Sequence, residues 1–297
     1  MSDLDARAEP AADVVSLGRS PRLPRLYVRA LRRRPRPAEP SLPQTQLELT
    51  VPAADLDHLG AYSRVCGFPI GDRLPPTYPH VLAFPLQVQQ MTADDFPFAL
   101  AGMVHIRNVI NQQRPLLVTD ALRIRVRAER LAAHEKGAQV DLVNEVYVGD
   151  DPVWVSRSTY LARGAAAPGT ATAPEPEVPA ADLSGALPMH WRVPRDLGRR
   201  YAGVSGDINP IHLHPLAARL FGFPGAIAHG MWTKARCLAA LGPRVPTAMT
   251  IDVSFRRPLP LGSSVRFLAK GSSPGWDVAV VSSRGAKTHL TGSVRPL

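Results

Sequence analysis

The sequence predicts an α+β protein made of two repeats, each a central apolar helix packed on an antiparallel sheet, with the two sheets joined edge to edge. Three observations carry this expectation. Two segments of the first half recur in the second in the same order. Tyr62-Ser-Arg-Val-Cys-Gly67 matches Tyr201-Ala-Gly-Val-Ser-Gly206, and the stretch from Arg114 to Ile124 matches that from Arg257 to Phe267. One such match arises by chance, whereas two with similar spacing argue for duplication. Each half also holds one apolar helical run followed by several β-rich segments. A stretch rich in Ala, Pro, Thr and Glu, with no apolar period, separates the halves. A helix laid on one face of an antiparallel sheet is a stable layered arrangement, and pairing the two sheets removes an exposed edge from each.

Taken in order, residues 1–40 form a basic arm. Between Val15 and Pro37 there are eight arginines and no acidic residue. Blocks of like charge are usually solvated, so the arm is expected to be flexible. Leu23, Leu26, Tyr27, Ala30 and Leu31 form a short apolar stripe at helical spacing, better suited to dock on the body than on a membrane. Residues 41–163 form the first repeat. Its helix spans His80 to Met91, where Pro79 and Pro85 should shorten or bend it. Strands are expected over Ala121 to Leu131, Gln139 to Val148 and Val153 to Ala162. Residues 164–188 are the linker and residues 189–297 the second repeat. There the helix spans Gly230 to Leu241, with strands at Thr250 to Phe255, Ser264 to Lys270, Trp276 to Ser282 and His289 to Val294.

The bulk properties narrow the function classes. With 297 residues, 45% hydrophobic and 20% charged, the chain has the balance of a soluble globular protein able to bury a sizeable core. No apolar run approaches the roughly 20 residues that span a bilayer. The N-terminus lacks a basic-then-apolar secretory pattern, so the cytoplasm is the expected compartment. Two cysteines, Cys66 and Cys237, make neither a disulfide framework nor a metal cluster; both read as core residues. The net charge of +10 suits an anionic partner without naming one.

Chemistry concentrates between Tyr201 and Met231. Asp207, Asn209 and His212 fall within six positions, framed by Gly206 and Pro210, and the run Ala228-His229-Gly230-Met231 follows. An Asp and a His reaching one water could activate it and return a proton to carbon. Gly230, at the expected start of the second helix, offers an unhindered backbone N–H to a developing oxyanion. This is what adding water to a double bond conjugated with a thioester requires, and it needs no metal or redox cofactor. Read singly, the same residues have plainer roles: Asp207 and Asn209 as turn formers, His229 as a fixer of the helix start, Tyr201 and Phe223 as packing.

With Tyr201, Gly206-Asp207-x-Asn209-Pro210-x-His212 and Ala228-His229-Gly230-Met231 in order, the segment resembles the hydratase-2 motif of the MaoC-like family, which includes R-specific enoyl-CoA hydratases and 3-hydroxyacyl-thioester dehydratases. The resemblance covers about residues 42–297. It implies a double hot-dog fold and a hydro-lyase of fatty acid metabolism. In this reading Asp207 and His212 are the catalytic pair, Gly230 is the oxyanion donor, and Asn209, Ser205 and His229 support them. In the first repeat the positions aligned with Asp207 and His212 hold Phe68 and Arg73, so that half is degenerate and accommodates the acyl chain. The expected partner is an acyl-CoA or acyl carrier protein whose CoA or phosphopantetheine arrives with the substrate. No nucleic acid or transmembrane segment is expected, and a homodimer is left open. Arg256 and Arg257 fit either the carrier phosphates or a solvated strand end. The competing functions are a hot-dog acyl-CoA thioesterase and a non-catalytic acyl-binding or assembly module.

Overall fold

Strand-forming residues dominate both halves, and the computed structural model, which describes residues 13–30, 40–169 and 183–297, assembles them into one sheet. In chain order, the arm contributes β1 (Val14–Leu17) and α1 (Leu23–Ala30). The first half continues with β2 (Gln46–Val51), α2 (Leu56–Cys66), α3 (Tyr78–Met91), β3 (Met103–Gln112), β4 (Leu122–His134), β5 (Gly137–Val148) and β6 (Asp151–Arg163). The second half holds β7 (Met189–Arg192), α4 (Leu197–Ser205), α5 (Pro210–Leu213), α6 (Pro215–Leu220), α7 (Gly230–Leu241), β8 (Met249–Phe255), β9 (Ser264–Gly271), β10 (Trp276–Ser282) and β11 (Thr288–Pro296). Among the described residues the strand order is β1-β2-β4-β5-β6-β3-β8-β11-β10-β9-β7.

The halves meet at the antiparallel pair β3–β8, where Arg107 lies opposite Ser254 and Gln112 opposite Met249. An Arg107–Asp252 ion pair at 2.8 Å bridges this seam. Lys234 of α7 is fully buried beneath it, and its Nζ donates to the Asn108 backbone oxygen (3.0 Å), Asn108 Oδ1 (2.5 Å) and the Ile251 oxygen (3.1 Å). Three acceptors on both seam strands replace the ammonium's lost hydration and fix α7 across the joint.

The repeated segments occupy equivalent places. Tyr62 and Tyr201 sit on α2 and α4, which end at Gly67 (φ 84°) and Gly206 (φ 74°) in the left-handed conformation that a side chain disfavours. The Arg114 and Arg257 segments lead into β4 and β9. The helix expected at Gly230 to Leu241 has those bounds, and each expected strand is present within three residues at either end.

Three expectations need correction. The arm is not free over residues 13–30: β1 pairs in parallel with β2, and α1 packs Leu23 and Leu26 on the cluster around Phe84 and Val88. Arg22 and Arg25 stay in water while Arg29 meets Asp94 at 3.0 Å, so the charge lies on one face and leaves the apolar stripe able to dock. The rest of the arm, with Leu31, lies outside the described residues, as do linker residues 170–182. Second, the prolines do not shorten α3, which runs for 14 residues. Pro79 falls in the first turn, where its missing N–H would have no partner, and burial of the helix offsets the one bond lost at Pro85. Third, α2, α4 and β3 were not expected as separate elements. The polar content of β3 hid it; Asn108, fully buried there, is the partner of Lys234.

Candidate active site

A sequence of local hydrogen bonds sets the loop after α4. The N–H of Asp207 donates to Ser205 Oγ (3.2 Å), and Asp207 Oδ1 accepts from the N–H of Asn209 (3.1 Å). Asn209 Oδ1 in turn caps α5 by accepting from Ile211 N–H at 3.3 Å, with Pro210 in the first helical position, where it needs no N–H. These turn formers bring His212 into the interior. Its Nδ1 lies 2.8 Å from the Ile227 carbonyl oxygen. A carbonyl only accepts, so Nδ1 carries the proton and the neutral ring keeps a lone pair on Nε2. Burial lowers the His212 pKa below its ordinary value, with the Asp207 charge opposing, which favours that neutral form.

His229, the residue before α7, donates from Nε2 to the Asp207 backbone oxygen at 2.9 Å and stacks on His212 with ring centroids 3.7 Å apart. Burial and the neighbouring His212 push its pKa down to about 3. It therefore ties the Asp207 loop to the start of α7. Gly230 opens α7, so its N–H has no intrahelical partner and lies at the positive end of the helix dipole. A Cβ at this glycine would stand 3.0 Å from the Phe255 ring. One carboxylate oxygen of Asp207 and one ring nitrogen each of His212 and His229 lie within 4.8 Å of one another. That separation admits one water bonded to both Asp207 and His212.

The same spacing raises the question of a metal ion. The hydrogen bonds commit Nε2 of His229 and Nδ1 of His212 as donors to carbonyls, so neither can ligate without giving up that bond, and the uncommitted acceptors are Nε2 of His212, the buried Nδ1 of His229 and the Asp207 carboxylate. The cavity these groups share measures about 690 Å³ and also includes Ser205, Asn209, Arg256 and Arg257 in its wall. Arg257 is exposed, while Arg256 donates from Nε to Thr291 Oγ1 at 3.1 Å. Phe68 and Arg73, the first-half counterparts of the pair, are absent from the lining.

Reading the sequence missed part of this wall. Tyr27 of α1 donates its hydroxyl to Asp207 Oδ1 at 3.4 Å, and burial together with the Asp207 charge raises its pKa. His80, His105 and Tyr160 of the first half also face the cavity. Tyr27, His105 and Tyr160 belong to no motif, and the apolar stripe around Tyr27 was the one available hint to it.

Known proteins place these features in a family. A family model described as a MaoC-like domain matches residues 165–280. The chain is 39% identical over 267 residues to 3-hydroxyacyl-thioester dehydratase X of Mycobacterium tuberculosis, covering 88% of this chain and 92% of that protein. The crystal structure of HtdX from M. tuberculosis superimposes with a TM-score of 0.73 at 39% identity, over 84% of this chain and all of that one. A MaoC-like dehydratase from Phytophthora capsici shares the fold at 19% identity, with a TM-score of 0.71 over 85% of this chain and 95% of its own. With its two helix-on-sheet repeats joined through β3 and β8, its 39% identity over most of its length and the matching domain in its second half, the chain belongs to the MaoC-like family of double hot-dog dehydratases.

Proposed function

We propose that this hydro-lyase interconverts trans-2-enoyl and (R)-3-hydroxyacyl thioesters, with Asp207 and His212 as its catalytic pair and the Gly230 amide as its oxyanion donor. The observation that carries the assignment of roles is the approach of the Asp207 carboxylate and a His212 ring nitrogen to within 4.8 Å, beside the open N-terminus of α7. The 39% identity to a 3-hydroxyacyl-thioester dehydratase supports the reaction class.

In hydration, one water donates its two hydrogens to the Asp207 carboxylate and to Nε2 of His212. Its oxygen attacks the β-carbon, and the π electrons move toward the thioester, whose oxygen gains negative charge. The Gly230 N–H donates to that oxygen, where the helix dipole adds to the stabilisation. The proton lost by the water then passes from the pair to the α-carbon, so water is added across the double bond. Dehydration runs the same steps backwards. Tyr27 and the Asn209 N–H steady the carboxylate, and His229 holds the Asp207 loop against α7. The reaction draws on no resident cofactor, since CoA or phosphopantetheine comes with the substrate. Arg257 at the rim, with Arg256 behind it, would meet the carrier phosphates.

No observation favours the thioesterase or purely binding alternatives. Incubating the full chain with a trans-2-enoyl-CoA and following loss of the conjugated enoyl absorbance tests the proposal. Turnover should be present in the wild type and lost in Asp207→Asn. Release of free thiol from a saturated acyl-CoA, with no loss of enoyl absorbance, would reassign the chemistry.

A further inference from the structure

The arm carries charge that neither the fold nor the catalytic site uses. Arg22 begins α1, since its carbonyl oxygen accepts from the N–H of Arg25 (3.0 Å) and of Leu26 (3.3 Å). Residues three and four positions apart share a helix face, so α1 divides into strips. Leu23 and Leu26 lie on the cluster around Phe84, and Tyr27 reaches Asp207. Pro24 and Val28, four apart, line the cavity and are exposed, so they belong to its rim. Arg25 stands three positions from Val28 and three from Arg22, which sets two exposed arginines beside that rim. At the other end of the helix Arg29 is neutralised by Asp94 at 3.0 Å, whereas Arg22 and Arg25 make no ion pair among the described residues.

The rim next to these arginines is apolar. Val28 is 62% exposed and Ile208, the residue after Asp207, is 37% exposed; both face the cavity. Large apolar side chains left in water beside unpaired cations suit a protein contact, because burial favours the first and an acidic face satisfies the second. The opposite side of the catalytic groups is different in kind. There Arg257 is exposed two residues from Phe255, the ring packed on Gly230, and suits a phosphate. Asp207 and Gly230 thus lie between α1 on one side and Arg257 on the other. Among the exposed charged side chains of the cavity wall, Lys136 is paired with Glu135 at 2.7 Å, and the other two, Arg163 and Arg257, are cations. A contact surface at the mouth of an acyl site suits the macromolecule that brings the acyl group. With Leu23 and Leu26 turned inward, the helix keeps little apolar surface for a membrane to hold.

We infer that the exposed face of α1, made of Arg22, Arg25 and Val28 with the neighbouring Ile208, is a docking surface for an acidic acyl carrier protein. The phosphopantetheine of that carrier passes between α1 and Arg257 to reach the catalytic pair. This docking serves the hydro-lyase activity proposed above and rests on it.

The test compares one acyl chain on two carriers. A trans-2-decenoyl group is presented to the full chain on CoA and on an acidic bacterial acyl carrier protein, and kcat/KM is measured for each. In the double variant Arg22→Glu/Arg25→Glu, kcat/KM for the carrier-protein substrate should fall at least about tenfold, through weaker encounter with an acidic partner. For the CoA substrate it should stay within about twofold, because neither arginine lines the cavity. Acidic residues favour a helix N-terminus, so α1 should keep its fold; a broken α1 would show as a loss on both carriers through Tyr27. Arg22→Gln/Arg25→Gln should give a smaller loss with the same selectivity, and added salt should narrow the gap between wild type and variant. Equal losses on both carriers, or no loss on either, overturn the docking surface. So does binding of the wild type but not the variant to phosphatidylglycerol vesicles with carrier-protein turnover unchanged, which would give the surface to a lipid. A wild type inactive toward both substrates would overturn the hydro-lyase reading. Titration of the unacylated holo carrier protein into wild type and variant then judges the docking by itself, and equal affinity would overturn it.

Discussion

Replacing Asp207 by Asn isolates the carboxylate charge, because the structure leaves almost everything else about the residue undisturbed. The amide oxygen can still accept from the Asn209 N–H and from the Tyr27 hydroxyl, and the Asp207 backbone oxygen still accepts from His229. With 27% of the Asp207 side chain exposed, the change should alter folding stability by less than about 1 kcal/mol. The lone pair that takes a proton from water is lost, along with the charge that favours protonation of His212. A general base of this kind contributes about 10²- to 10⁴-fold, or roughly 3–5 kcal/mol of the barrier. The expected result is a fall of that size in kcat for enoyl-CoA hydration, followed by loss of enoyl absorbance, with the circular-dichroism melting curve nearly superimposable on that of the wild type. Turnover within about tenfold of wild type would refute the assignment of Asp207. A comparable loss of activity accompanied by a large drop in melting temperature would refute the claim that only the charge matters.

Tyr27→Phe removes one long hydrogen bond to the carboxylate and should lower kcat by about three- to tenfold with a smaller change in KM; steady-state kinetics indistinguishable from wild type would reduce Tyr27 to packing. Gly230→Ala places a methyl 3.0 Å from the Phe255 ring and crowds the oxyanion position, so kcat should fall roughly 10- to 100-fold and stability by about 1 kcal/mol. Unchanged kinetics there would move the oxyanion donor elsewhere. His80 and His229, held at about 3 against an ordinary 6.5, bind fewer protons folded than unfolded between those values. Stability is therefore greatest above about pH 6.5 and declines on acidification through that window. Thermal melts between pH 7.5 and 5 should show the decline, and His80→Gln should make it shallower; a slope unaffected by the substitution would mean that other groups carry it.

Features that depend on neighbours along the chain could be read from its residues alone. Gly67 and Gly206 were legible as the ends of the duplicated segments, although α2 and α4, which they terminate in the left-handed conformation, were not. The Asp207-x-Asn209-Pro210 spacing closes its own turn and starts α5, and the apolar run after His229 starts α7 where expected. The duplication was legible for the same reason, since each copy repeats one local program of turn, helix and strand. Which distant groups share the cavity depends on how strands pair and helices pack. Tyr27 reaches Asp207 across 180 residues of sequence, from an arm whose charge count suggested freedom, because its arginines and its apolar stripe point in different directions. Lys234 is buried at the seam because Asn108 and Ile251, on strands from different halves, present oxygens to it. Contacts of this kind leave no periodic trace in a sequence. They arise when strands pair and helices pack, and a side chain's chemistry is then set by whatever folding brings beside it.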